Sequence, residues 1–258
     1  MFLDALGSSD WARGERRQEY LERLFAALAR ARVFKKGQDG LAVYEVATFT
    51  DNLVVGCPVS RNQPDAEGEL GLAFILASIY QFQLAIDGVF IRGGVTRGEI
   101  YMDDDFTYGP GLVEAYELEQ RVAAQPRIVL SQSVVTLCIE HTAYYGDASN
   151  SPHDTYLLVS QDGEVFLNYL SVLYEEVTDV HAELHNHKNA VEAALTQFSG
   201  QARIWSKYCW VADYHNYFCS TNHPDWADLL IAGDATSHLF RSFNEIAREP
   251  RRPAASAD

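Results

Sequence analysis

The chain is short of positive charge: 20 Lys and Arg stand against 36 Asp and Glu, a formal charge of −16. A surface of that sign repels phosphate backbones and anionic lipid, which excludes nucleic acid polymers and membrane surfaces as default partners. Sulfur is scarce too. Cys57, Cys138, Cys209 and Cys219 show no paired spacing of the zinc type, and they read as free thiols in a reducing cytoplasm. No apolar run is expected to approach the roughly 18 to 20 residues that span a bilayer. No basic leader with an apolar stretch is visible, so a cytoplasmic location is the expectation. A Walker-type Gly-Lys loop and a Ser-His-Asp signature are both missing. What the chain does have is a globular composition: 47% hydrophobic residues and four tryptophans in 258 residues suffice for a sizeable core, as one domain or a domain with an appendage.

The opening MFLDALGSSDW sets Asp4 among Met1, Phe2, Leu3, Ala5 and Leu6. A carboxylate in an apolar run is costly to bury without a partner. Asp4 therefore either meets water at a frayed terminus or stands at the mouth of a site and holds a cation.

Leu21, Leu24, Phe25 and Leu28 recur at helical spacing within 14–32, and KKGQDG ends that helix. LAVYEVATF, TDN and LVVGCPV read as a strand, a tight turn and a returning strand. The polar loop SRNQPDAEGE leads into an apolar helix from about Gly68 to Ile86. VFIRGGVTRGEIYM reads as one strand, in which Gly93 and Gly94 admit a close backbone or ligand. DDDFTYGPG is a loop, and Pro110 suits the first turn of a helix LVEAYELEQRV. RIVLS is a short strand, a helix spans about Gln132 to Tyr144, and TYLLVSQDGEVFLNYL is a hairpin turning at QDG. From Val180 the texture is helical, closing with a short amphipathic piece near SHLFRSFNEIA and a tail, EPRRPAASAD, expected to be disordered.

The leading order β-α-β-β-α-β is the ferredoxin-like, split βαβ pattern, in which strand one lies beside the central hairpin. Asp4 ends strand one and Asp51 tips the hairpin, so two carboxylates far apart in sequence converge. Uncompensated, such a pair raises its own pKa values, and stable ionisation implies a bound cation. Hard divalent ions suit oxygen ligands, and two of them about 4 Å apart activate a hydroxyl and hold a triphosphate. Gly7, Ser8 and Ser9 follow directly, with backbone amides available to phosphate oxygens. Taken singly, Asp4 also reads as a frayed-end residue and Asp51 as an ordinary turn residue.

FLDALGSS resembles the first metal motif of class III nucleotidyl cyclases, and TFTDNLVV resembles their second-metal hairpin. IRGGVTRGEIYMDDDFTYGPGLVEAYELE resembles their later strand, hairpin and helix. YGPGLVEAYELE, with VFLNYL and KYCWVADYHNYF further on, is most similar to the pyrimidine cyclases of Pycsar anti-phage defence. The resemblance runs from Asp4 to about Leu170, with weaker support through Phe218.

The resemblance implies an α/β (α+β) fold: a ferredoxin-like βαββαβ cyclase catalytic domain over 1–178, a helical C-terminal extension over 179–248 and a disordered tail over 249–258. It implies a head-to-tail homodimer with composite sites, each using two divalent ions, Mn²⁺ or Mg²⁺. Asp4 and Asp51 match the metal-binding aspartates, with the Ala5 carbonyl as a further ligand; Leu6, Gly7 and Ser8 match the phosphate-facing turn. Arg92, Gly94, Gly98 and Glu99 match the family's strand pattern. The family's purine-reading positions are Ala47 and Phe106 here, without Lys, Glu or Asp, which agrees with a pyrimidine substrate, UTP or CTP.

The Asn and Arg that family members carry on the next helix are Val113 and Glu117. Charge on the α-phosphate still needs a counterpart, and Arg97 is the candidate, its alternative being a surface arginine paired with acids. The implied reaction converts UTP to 3',5'-cyclic UMP and pyrophosphate, a second messenger in anti-phage defence. Cyclic CMP from CTP is the alternative. A reading of another class is a cyclase-like nucleotide sensor or interaction module without activity.

Three further clusters read as structural. His181, His185 and His187 are expected on a solvated helix surface. Cys209, His215 and Cys219 are expected to pack among aromatics, and Asp103 to Asp105 to form a solvated hairpin tip.

Overall fold

The computed structural model describes residues 1–7, 17–30, 44–60, 65–103, 105–232 and 239–248. The tail, Ser8 and the expected start of the second strand at 41–43 lie outside the described residues.

The first strand, β1 (Phe2–Ala5), alternates: Leu3 and Ala5 are buried in the core, while Phe2 and Asp4 face the other way. Helix α1 (Arg17–Arg30) follows, with Leu21 and Phe25 of its expected apolar stripe 43% and 63% exposed. The hairpin β2 (Glu45–Phe49) and β3 (Asn52–Gly56), helix α2 (Glu67–Ile86) and β4 (Ile91–Val95) complete the leading unit. Its strands lie in the order β4-β1-β3-β2, antiparallel at every junction, which is the split βαβ arrangement expected from the element order.

β4 cannot be widened by a side chain at either glycine. A Cβ on Gly93 would stand 2.5 Å from the Phe2 carbonyl oxygen, and one on Gly94 2.5 Å from that of Ala115. The close backbone approach anticipated for this pair is observed.

The stretch read as one strand is two: after β4 the chain makes a separate hairpin, β5 (Tyr101–Met102) and β6 (Thr107–Tyr108). Helix α3 (Pro110–Arg121), β7 (Ile128–Leu130) and α4 (Gln132–Thr142) come next. They lead to the short α5 (Pro152–Tyr156), then β8 (Leu157–Ser160) and β9 (Val165–Leu167). A 3₁₀ turn over Tyr169–Val172 runs into α6 (Leu173–Glu176), followed by the long α7 (Val180–Gln197) and α8 (Ala202–Asn222).

The piece expected to be helical near SHLFRSFNEIA divides into a strand, β10 (Phe240–Ser242), and a short helix, α9 (Phe243–Ala247). The edge of β8 offers backbone partners, and Phe240 is buried against Phe166, Trp210 and Tyr214. Ser242 then caps α9, its oxygen accepting from the Asn244 amide. Tertiary pairing overrides a helical period in so short a stretch.

The result is an eight-stranded mixed sheet, β10-β8-β9-β7-β4-β1-β3-β2, with β4 and β7 parallel. One core layer sets Leu3, Leu53, Val55 and Ile91 against Phe74 and Ala77 of α2 and Val134 and Cys138 of α4. The other sets Val129, Leu158, Phe166 and Phe240 against Leu184 and Val191 of α7 and Val211, Tyr214 and Phe218 of α8. Residues on both sides of position 178 share this second layer. Contrary to expectation, the 20-residue α2 is long and apolar enough to span a membrane, its most apolar window having mean hydropathy 1.5, yet 56% of that window is buried inside the protein, as in a core helix.

Candidate functional site

The β1–β3 register sets Asp4 opposite Asn52, the neighbour of Asp51. Thr50 and Asp51 form the two-residue turn of the β2–β3 hairpin, with Thr50 at φ +58°, a conformation a β-branched residue rarely adopts. The Thr50 hydroxyl stands 3.0 Å from Asp51 Oδ1 and accepts from Asn52 Nδ2 at 3.1 Å, which orients the Asp51 carboxylate. Its other oxygen, Oδ2, is buried without a hydrogen-bond partner among the described residues. Asp4, Ala5 and Asp51 line one small recess of ≈ 10 Å³, walled by Leu3, Tyr80 and Ile91.

Behind Asp4 stands a partner that the sequence did not announce. Arg92 on β4 donates from Nε and Nη2 to Asp4 Oδ2, both at 3.3 Å, and its Nη2 lies 2.6 Å from Glu119 Oε1. Glu119 is fully buried. It shares one face of α3 with Gly111 and Ala115, residues four apart, so an acid in the inward stripe of that helix was the readable signal.

Burial lifts the Asp4 carboxyl above its ordinary range; the Arg92 guanidinium pulls it back, and nearby Asp51 adds to the lift. Burial likewise lifts Glu119. On α8, burial lowers the Lys207 ammonium, which also feels the charges of Arg92, Asp4 and Glu119. Asp4 and Glu119 thus face Arg92 and, at longer range, Lys207, while Asp51 stands beside Asp4 with one oxygen unpaired, an arrangement that a bound cation would complete. The donors are all oxygen, the set that suits Mg²⁺ or Mn²⁺. With an unsatisfied carboxylate oxygen in the recess, Asp4, Asp51 and the Ala5 carbonyl fit a hard divalent ion.

Gly7, at φ +81°, turns the chain directly after β1. The Leu6 amide is already used, donating to the Phe90 carbonyl at 2.8 Å. Arg97 is exposed and is not beside Asp4: it lines a different cavity, of ≈ 100 Å³, with Tyr44, Cys57 and Glu69.

Ala47 and Phe106, fifty-nine positions and several elements apart, do meet. Both line a groove of ≈ 650 Å³ bounded by Phe2, Thr48, Phe49, Leu112, Val113 and Tyr116. Phe106 stacks on Tyr108, with centroids 6.0 Å apart and planes 12° from parallel. Asp103 and Asp105 line the same groove, so carboxylates are present there although Ala47 and Phe106 supply none. Asp103 is also a turn organiser: its carboxylate accepts from the Tyr101 hydroxyl at 2.6 Å and from the amides of Asp105 and Phe106. Those bonds, the tyrosine's first, hold it below the usual carboxylate range.

The histidine run is not a solvated surface throughout. His187 is fully buried, joined to Tyr169 at 2.7 Å and to His215 at 3.0 Å. His181 stays outside, 3.1 Å from Asp228. The seam between α7 and α8 explains the difference, since His187 shares the inward face with Leu184 and Val191. His215 and Cys219 pack inside, as expected. No family model, no curated protein and no solved structure matches the chain.

Proposed function

We propose that the chain is a pyrimidine nucleotide cyclase that converts UTP to 3',5'-cyclic UMP and pyrophosphate in the cytoplasm, producing a second messenger in anti-phage defence. The observation that carries this reading is the unpartnered Asp51 Oδ2 beside Asp4 in a recess that both carboxylates line. Asp4, Asp51 and the Ala5 carbonyl would hold Mn²⁺ or Mg²⁺, which when bound acidifies the ribose 3'-hydroxyl and neutralises the phosphate tail.

The remaining work falls to the protein's own groups. The Gly7 turn lies at the end of β1, beside Asp4, where the triphosphate would sit. The Ala47–Phe106 groove takes the base, with Phe106 as a stacking face. Nucleophile and electrophile belong to one substrate, so holding the ribose against its own α-phosphorus is most of the catalytic task. Because Arg97 lies outside the recess of its own chain, its role in neutralising the developing charge requires a head-to-tail homodimer, in which it is Arg97 of the partner subunit that acts.

The test is incubation of the purified protein with Mn²⁺ and each of the four nucleoside triphosphates, with products separated by chromatography. Cyclic UMP is expected. Cyclic CMP would shift the reading to the cytidylate enzyme, a substrate whose exocyclic amine suits the Asp103 and Asp105 carboxylates. No turnover with any nucleotide would favour a nucleotide sensor or interaction module, a reading supported by Val113 and Glu117 standing where related enzymes have Asn and Arg.

A further inference from the structure

Outside the lining of the aspartate recess, Cys138, His141 and His153 meet in the interior. Cys138 and His141 lie three residues apart on α4 and project from one face. His153 comes from the first turn of α5, its amide donating to the Ser151 hydroxyl at 3.3 Å. All three side chains are almost wholly buried, at 0%, 0% and 2% exposure, and one donor atom from each lies within 4.8 Å of the others.

The hydrogen bonds fix the direction of the lone pairs. A carbonyl only accepts, so His141 Nε2 must donate to the Asp65 carbonyl, 3.1 Å away. That leaves His141 Nδ1 unprotonated, and it faces His153 Nε2 at 2.9 Å. The far nitrogen of a metal-bound histidine is commonly held in this way by a carbonyl. His153 Nδ1, in contrast, is buried without a partner among the described residues, so only the bond to His141 holds that ring's proton on Nε2. Moving the proton from Nε2 to Nδ1 gives up one hydrogen bond and frees a second lone pair towards the same point.

We propose that Cys138, His141 and His153 form a three-ligand site for one zinc-class ion, separate from the aspartate recess. Donors about 2.0 to 2.3 Å from such an ion stand roughly 3 to 4 Å apart; the two imidazole nitrogens stand 2.9 Å apart and all three donors lie within 4.8 Å of one another, so a small closure completes the set. Two imidazoles and a thiolate select a borderline-soft metal, whereas the carboxylates of the recess select a hard one, so ligand chemistry sorts the two ions. On binding, the Cys138 thiol releases its proton to solvent and the sulfur becomes the third ligand, with water at the fourth position. The ion ties α4 to α5 and, through Asp65, to the loop before α2.

The site is tested by metal analysis of the purified full chain, followed by chelation and titration with Co²⁺, whose thiolate charge-transfer band reports sulfur ligation. Carboxylates give no such band, so the result is independent of cyclase activity and of the aspartate site. One zinc per chain is expected, with a cobalt–thiolate band in the wild type and in Cys57→Ser that is lost in Cys138→Ser and weakened in His141→Gln. Should a serine variant fail to fold, the wild-type titration and His141→Gln still decide. Less than about a tenth of a zinc per chain with no cobalt–thiolate band, or a band that survives Cys138→Ser, overturns the proposal.

Discussion

Two buried polar clusters sit on the same sheet and are built on opposite terms. At the end of β1, Asp4 and Glu119 share the guanidinium of Arg92, and next to them the Asp51 Oδ2 is left without a partner among the described residues. Between α7 and α8 every group is accounted for. The Leu229 carbonyl can only accept, so His215 Nε2 donates to it at 3.0 Å; His215 Nδ1 then accepts from His187, and His187 Nε2 accepts from the Tyr169 hydroxyl. Each ring is neutral and its tautomer is set. A closed network of this kind rigidifies a core. An open one with a buried carboxylate oxygen left over lowers stability unless something binds, which is the mark of a site and not of a scaffold.

Substitution should separate the two. Asp51→Asn is expected to cut cyclic nucleotide formation by about a hundredfold or more, because a metal ligand is lost, with no fall in melting temperature. Mn²⁺ should raise the melting temperature of the wild type and not that of this variant. A melting temperature that collapses in Asp51→Asn would make the recess structural, and the contrast would be gone.

His187→Ala should behave in reverse, costing about 2 to 4 kcal/mol of stability in urea unfolding, because Tyr169 and His215 are left unsatisfied in a dry interior. The same pair predicts a pH dependence. Burial pushes His187 well below the ordinary 6.5 and His215 down to about 4, with Lys188 adding to the latter shift. The unfolded chain therefore binds protons that the folded rings refuse. Stability should be complete above pH 6.5 and fall as the pH drops towards 4, a window to be followed by thermal unfolding in a buffer series. In His187→Ala that slope should flatten.

Smaller effects refine the aspartate end. Phe106 is 56% exposed, so Phe106→Ala should leave the melting temperature unchanged while raising KM for UTP about tenfold, the value of one stacked base. Least of all, Glu117→Ala should change stability by no more than about 0.5 kcal/mol, since its pair with Arg121 is exposed on both sides. Activity should also be unaffected, which would place catalysis away from the position where the cyclases that the sequence resembles keep an arginine.

Local pattern made much of the fold legible. The period of α2, the TDN turn and the Gly93–Gly94 pair each carry their reason within a few residues, and the order of elements was enough to bring Asp4 towards Asp51. Arg92 was noticed only as part of a strand pattern, and Glu119 not at all, because their roles depend on α3 crossing β1 and β4. Phe240 was misread for a related reason: three residues show no dependable period, and their state depends on the free edge of β8.

By itself, the sequence determined which residues are able to ligate, cap, turn and pack, because those capacities belong to side chains and to short-range backbone geometry. Only the tertiary structure decided which capacities are used. His181 and His187 are chemically identical and lie on one helix, yet one meets solvent beside Asp228 and the other is locked between Tyr169 and His215. Their difference is one of desolvation and of partners from distant segments, and both are set by packing.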